Sequence, residues 1–237
     1  MAGLFTLIAL VLVLAFQASP ATAAPSDPSR FRFGNEVVTW WAPLQTSVTA
    51  RSRPAAGAPT VARVAVRTPE GTTTIVRLLE RVSRGGRLWL KVSLPVLPNG
   101  TTGWIQREDV GGYQRTTRRL VVDLGDYRAT LFDGRRRLLT APVGIGQRRW
   151  PTPTGTFFVR NQLTKFASPA YGPVAFGLSA RSAVLTDWPA GGFVGIHGTN
   201  RPAILPGRVS HGCIRLRNAD ILRLARLLAP GDLVVIR

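Results

Sequence analysis

Hydrophobic and polar residues alternate with a period of two over Val61–Arg67, and in part over Leu88–Val92. That is the spacing of strands with one buried face. Turn signals separate such runs between Val37 and about Val110: Pro69-Glu70-Gly71, Arg84-Gly85-Gly86 and Pro98-Asn99-Gly100. Helical periodicity is missing from this part, so the pattern predicts a small β-barrel. Gly111–Thr117 reads as a linker into a second β-rich region. There Leu120–Leu124 and Arg128–Phe132 predict a hairpin, and Asp133-Gly134 a turn into a third strand. Gly155–Val159 and Phe193–Ile196 are further strands, and Leu233–Ile236 a buried one. One helix is expected. Ile221, Leu224, Ala225 and Leu228 share a face, Asn218 suits its N-cap, and Pro230-Gly231 its end.

The beginning of the chain breaks this pattern. Leu4–Phe16 is an apolar stretch of 13 residues, short for a membrane-spanning helix, followed by small residues with Ala21-Thr22-Ala23 as an A-x-A cleavage signal. Residues 1–23 are therefore expected to be a signal peptide of an exported protein, with an uncleaved anchor as the alternative. Residues 24–36 read as a linker rich in Pro, Ser and Arg. No stable membrane span is expected in the mature form. The 237 residues suffice for two domains, and 45% hydrophobic with 18% charged residues is a globular composition. The net charge of +19 is carried almost wholly by Arg, since Lys91 and Lys165 are the only lysines. It favours polyanions such as anionic wall polymers, unless it reflects only a compositional preference for Arg. Export and the scattered placement of the basic residues argue against nucleic acid.

Rare residues carry the chemistry. The single Cys and both His lie between positions 197 and 213, in Ile196-His197-Gly198-Thr199-Asn200 and Ser210-His211-Gly212-Cys213-Ile214-Arg215-Leu216. One Cys allows no intramolecular disulfide. A thiol needs a base to become a nucleophile at neutral pH, and imidazole can take the proton and later return it to a leaving amine. If extended, His211 and Cys213 point to the same side. The amides of Gly212 and Cys213 are candidate oxyanion donors, and Arg215 supplies charge that favours thiolate or binds a carboxylate. Two His and one Cys give only three metal ligands without zinc spacing, and nothing in the spacing supports Asp187 as a fourth. No metal or other cofactor is expected.

The His197-Gly198-Thr199-Asn200 segment, the Ser210–Leu216 run, Asn218, Asp220, the last strand and the upstream Pro151-Thr152-Pro153-Thr154-Gly155-Thr156-Phe157 together resemble the L,D-transpeptidase catalytic (YkuD-like) family over about residues 118–237. The resemblance implies a β-sandwich that attacks peptidoglycan stems at an L-centre to D-amino acid bond. Terminal D-alanine leaves, a thioester forms, and an acceptor stem takes the acyl group to give a 3→3 cross-link. It implies Cys213 as nucleophile and His197, not the sequence-adjacent His211, as base. Ser210, His211, Gly212 and Arg215 would line the site or hold the oxyanion, and Asn218 would support the loop or, preferably, cap the helix. Residues 37–112, with Arg87–Val92 and Gly103-Trp104-Ile105, resemble a bacterial SH3-like module, which binds wall material or serves as a spacer. For Tyr171, Arg181 and Trp188, packing is expected in preference to lining the groove. The rival functions are hydrolysis of stems by a carboxypeptidase or endopeptidase, and wall binding without catalysis. The location expected is the cell envelope, periplasmic or wall-associated.

Overall fold

A computed structural model describes residues 30–165, 168–185 and 192–237. The expected signal segment, Asp187 and Trp188 lie outside the described residues. The protein is mostly β and is built on two sheets.

The first sheet contains β1 (Arg30–Arg32), β2 (Thr39–Pro43), β3 (Val48–Arg51), β4 (Thr60–Val64), β5 (Ile75–Arg84), β6 (Arg87–Ser93), β7 (Thr102–Gln106) and β8 (Gln114–Thr116). Its order is β4-β3-β7-β6-β5-β2-β8, with β1 on β5. The alternation behind β6 has the expected result: Leu90 and Val92 are buried with Leu78 and Ile105 in the core, while Trp89 of β6 joins Val82 and Trp104 in a separate cluster. Two segments read as linkers take part in this sheet. Arg30–Arg32 pair with Glu80–Val82, and Gln114–Thr116 pair with Thr39–Trp41. Short polar strands of this kind lack a hydrophobic pattern. Their backbone groups are satisfied by an edge supplied from elsewhere in the chain.

The second sheet contains β9 (Arg118–Asp123), β10 (Arg128–Asp133), β11 (Arg136–Pro142), β12 (Gly144–Gly146), β13 (Gly155–Leu163), β14 (Ala175–Arg181), β15 (Phe193–His197), β16 (Gly207–Ser210), β17 (Ile214–Arg215) and β18 (Leu233–Ile236). Its order is β11-β10-β9-β18-β13-β14-β15-β17-β12-β16. The predicted β9–β10–β11 meander is present, with Gly134 at φ +58° in the turn. Strand β18 lies between β9 and β13.

The helix, α1 (Asn218–Ala225), puts Ile221 and Leu224 into the core, joined by Leu228 just beyond its end. Asn218 is not its N-cap. Arg217 holds that position without a side-chain cap, and the Asn218 side chain is engaged elsewhere. The helix also ends before Pro230, at Ala225, with Arg226 as its C-cap. Among the described residues no helix is long and apolar enough to cross a membrane.

Candidate active site

Strands β15 and β17 run parallel and adjacent, pairing Ile196 with Ile214 and His197 with Arg215. Side chains alternate along a strand, so burial of Val194 and Ile196 in the core turns Phe193, Gly195 and His197 to the other face. Cys213 enters β17 beside Gly195, whose N–H points at its sulfur at 3.4 Å. A side chain at position 195 would begin 3.9 Å from that sulfur, in van der Waals contact with it. The thiol opens into a cleft of about 360 Å³ that His197, His211, Arg215, Tyr171, Ser182 and Phe193 also line.

His197 is 4% exposed, and its Nδ1 lies 2.6 Å from the Gly198 carbonyl oxygen. A carbonyl can only accept, so Nδ1 carries the proton and Nε2 the lone pair. Burial holds the pKa of His197 down to about 4, with help from the Arg215 charge and against the pull of the Gly198 carbonyl. The ring is neutral at physiological pH. Tyr171 sets its ring edge-on to the imidazole, 5.0 Å between centroids. It therefore belongs to the cleft wall, contrary to the expectation of mere packing. Arg181 does pack, its guanidinium 4.9 Å from the Phe193 ring centroid.

The loop after His197 is held by Asn218, whose Oδ1 accepts the Thr199 N–H at 2.9 Å. This is the support role, not the cap. Gly172 and Gly198 close around the same oxygen, since a Cβ on either would come within 2.5 Å of it. Gly172 also sits at φ +64°, which glycine adopts without strain.

The turn into Cys213 is braced from within. Ser210 is 1% exposed, and its Oγ accepts the Gly212 N–H at 3.1 Å while donating to the Cys213 carbonyl at 2.6 Å. The Thr152 hydroxyl donates to the Gly212 carbonyl and accepts the Gly146 N–H, each at 2.9 Å. Two expectations are corrected here. Ser210 braces the turn and is absent from the cleft lining, and the Gly212 amide is already engaged by it, whereas no partner of the Cys213 amide occurs among the described residues. Residues 211–213 are not extended either, because Gly212 at φ +113° bends the chain between His211 and Cys213. His211 stacks on Trp150 at 4.0 Å between centroids, and Arg149 covers Trp150 in turn.

Burial pushes the Cys213 thiol above its ordinary pKa, and the Gly195 N–H and Arg215 charge pull it back only in part. The resting pair is thiol with neutral imidazole. Arg215 takes part in no ion pair among the described residues, and its Nε is buried without a hydrogen-bond partner. Among the described residues the cleft thus presents a nucleophile, a base with a free lone pair, an unengaged amide and a cation without a counter-ion. No group of three or more His, Cys, Asp or Glu side chains placed to hold a metal ion occurs among the described residues. Sequence reading missed Gly195 and Trp150. A glycine inside a strand is a known sign of close approach and could have marked the first.

A β-sheet protein with a thiol and a neutral imidazole in one cleft is, as a class, equipped for nucleophilic acyl transfer. The family description "L,D-transpeptidase catalytic domain" (YkuD) matches residues 117–236, half of the chain, and the chain belongs to that family. It is similar to YkuD of Bacillus subtilis strain 168, 33% identical over 117 residues, which are 49% of this chain and 64% of that protein. YcfS of Escherichia coli K12 is 30% identical over 136 residues, 48% of this chain and 42% of that protein. The chain thus spans less than two thirds of these relatives. Among solved structures, an L,D-transpeptidase from Mycobacterium smegmatis is 15% identical with a TM-score of 0.40, over 63% of this chain and 90% of that one. One from Mycobacterium tuberculosis H37Rv is 14% identical with a TM-score of 0.41, over 64% and 90%.

Proposed function

We propose that the protein is an exported peptidoglycan L,D-transpeptidase that forms 3→3 cross-links through a thioester on Cys213. The supporting observation is the shared cleft of Cys213 and His197, in which His197 is neutral and keeps Nε2 free. On this reading residues 118–237 are the catalytic unit and residues 37–112 an SH3-like module beside it. His197 Nε2 takes the proton of the thiol as sulfur attacks the carbonyl carbon of the L-centre residue of a donor stem. The tetrahedral oxyanion is held by the Cys213 N–H. Collapse breaks the C–N bond, and His197 returns the proton to the departing D-alanine amine. The acceptor-stem amine then attacks the thioester and loses a proton through His197, and the thiol is restored. Arg215, which has no carboxylate partner among the described residues, would take a stem carboxylate.

The test is mass spectrometry of purified muropeptides incubated with the full chain and with Cys213→Ala. A dimer of 3→3 linkage from the wild type and none from the variant is expected, with melting of the two within a few degrees. Trimmed monomers alone would replace this reading with hydrolysis. No product, or product from Cys213→Ala, would overturn the mechanism.

A further inference from the structure

Three residues in turns between strands of the first sheet, Glu70, Thr72 and Asn99, reach β13 and β14 of the second, beside one wall of the cleft. Arg160 of β13 is the centre of the first contact. Its side chain is 2% exposed, its Nη2 lies 3.0 Å from Glu70 Oε1, and its Nε donates to the Leu178 carbonyl. The next residue, Asn161, donates from Nδ2 to Glu70 Oε2 and to Thr72 Oγ1, both at 3.1 Å, and accepts the Gly177 N–H. Neighbours on a regular strand face opposite ways. Here the register with β14 shifts between Val159 and Asn161, and this bulge lets both side chains meet the same turn. Burial alone would raise the Glu70 carboxyl, but the Arg160 charge and hydrogen bonds hold it below the usual range.

The second contact is at Asn99. Its side-chain amide accepts the Arg181 N–H at 2.9 Å and donates to the Arg181 carbonyl at 2.7 Å. One side chain therefore completes the backbone of the last residue of β14, as a neighbouring strand would. Ser182, which follows, lines the cleft and donates its N–H to the Gly192 carbonyl. Phe193, paired with Arg181, also lines it. The Phe193 ring has the Arg160 guanidinium carbon 3.6 Å from its centroid and that of Arg181 at 4.9 Å. Each arginine on that ring is tied to the first sheet, Arg160 by Glu70 and Arg181 by Asn99.

We infer that the first sheet is a positioning scaffold for the cleft, in which Glu70 and Asn99, acting through Arg160 and Arg181, fix the wall formed by Ser182 and Phe193 against the donor stem. The identity of the substrate rests on the function proposed above, whereas the tether itself does not. Glu70 and Asn99 are positioning residues, far from the reacting atoms in the chain and absent from the cleft lining. A buried arginine without its carboxylate is strongly destabilising, so Glu70→Ala is paired with Arg160→Met, which removes the charge and keeps bulk beside Phe193. Asn99 sits at a half-exposed turn, and Asn99→Ala leaves the cores of both sheets intact.

The experiment compares the full chain with Asn99→Ala and with the Glu70→Ala/Arg160→Met double variant, after thermal melting of each. Hydrogen exchange read by mass spectrometry reports the wall directly. Peptides covering residues 178–182 and 192–195 are expected to exchange about tenfold faster in both, with 205–216 unchanged. Donor-stem turnover is expected to show KM raised about tenfold and kcat within about threefold, the pattern of lost uniform binding. Unchanged exchange of the wall overturns the inference, as does a wild-type KM in the double variant. If the wild type turns over no stem while the wall peptides loosen as stated, the proposed reaction fails and the tether stands.

Discussion

Protonating His197 should cost the protein measurable stability, and the size follows from where the ring sits. Its pKa is about 4 in the fold, against 6.5 for a free imidazole. A depressed value means that between pH 6.5 and 4 the unfolded chain binds a proton that the folded chain refuses. Stability is therefore full above about pH 6.5 and falls as the pH drops through that window. At 1.36 kcal/mol per pH unit, the gap between 6.5 and about 4 gives a limit of roughly 3 kcal/mol, and most of that, about 2–3 kcal/mol, is lost between pH 7.5 and 4.5. The assay is urea denaturation of wild type and His197→Gln at both pH values. Carboxylates titrate in the same range, so the quantity to read is the difference between the two proteins' pH-dependent losses. The wild type should lose about 2–3 kcal/mol more than the variant. A difference below about 0.5 kcal/mol, within the additivity error of such cycles, would refute the assignment of a buried neutral imidazole.

Three further outcomes follow from the same site. Iodoacetamide should alkylate Cys213 more slowly at pH 7 than it does a free cysteine peptide, since burial raises the thiol pKa; a faster reaction, timed by intact mass, would mean a resting thiolate. Acylation by a carbapenem, followed the same way, should slow substantially in His197→Ala and less in His211→Ala, and the reverse order would move the base to His211. Gly212→Ala meets the Pro151 and Trp150 carbonyl oxygens only at ordinary contact, 3.5 and 3.8 Å, yet it forces a side chain into φ +113°, so it should cost about 1–3 kcal/mol and lower the melting temperature by roughly 2–10 °C.

Much of this was legible along the chain, for identifiable reasons. The strands β9 to β11 and the buried face of α1 follow from periodicity, because one face of each is filled by the core. The clustering of His197, His211 and Cys213 marked the cleft, and the structure does bring these three into one cleft. Local rules failed where partners are distant in sequence. Asn218 has the chemistry of a cap, but its oxygen is taken by Thr199, nineteen residues away. Gly212 has the chemistry of an oxyanion donor, but its amide is held by Ser210. Tyr171 carries no local signal at all, since its place beside His197 depends on two glycines approaching across loops. The polar strands β1 and β8 were unreadable for a related reason: only the partner edge makes them strands.

The place of β18 has a consequence for how the molecule comes into being. Ribosomes deliver the chain from its N-terminus, so Leu233–Ile236 emerge after every other strand of the second sheet, yet they belong in its middle, between β9 and β13. Until they arrive, the nascent protein holds two half-sheets with facing open edges, of the kind that invites pairing with other chains. The meander of β9 to β11 stands on one side of that seam and the thiol-bearing half on the other. Losing these four residues would therefore part the three-stranded meander from the other six strands, where trimming an outer strand such as β11 would only narrow the sheet.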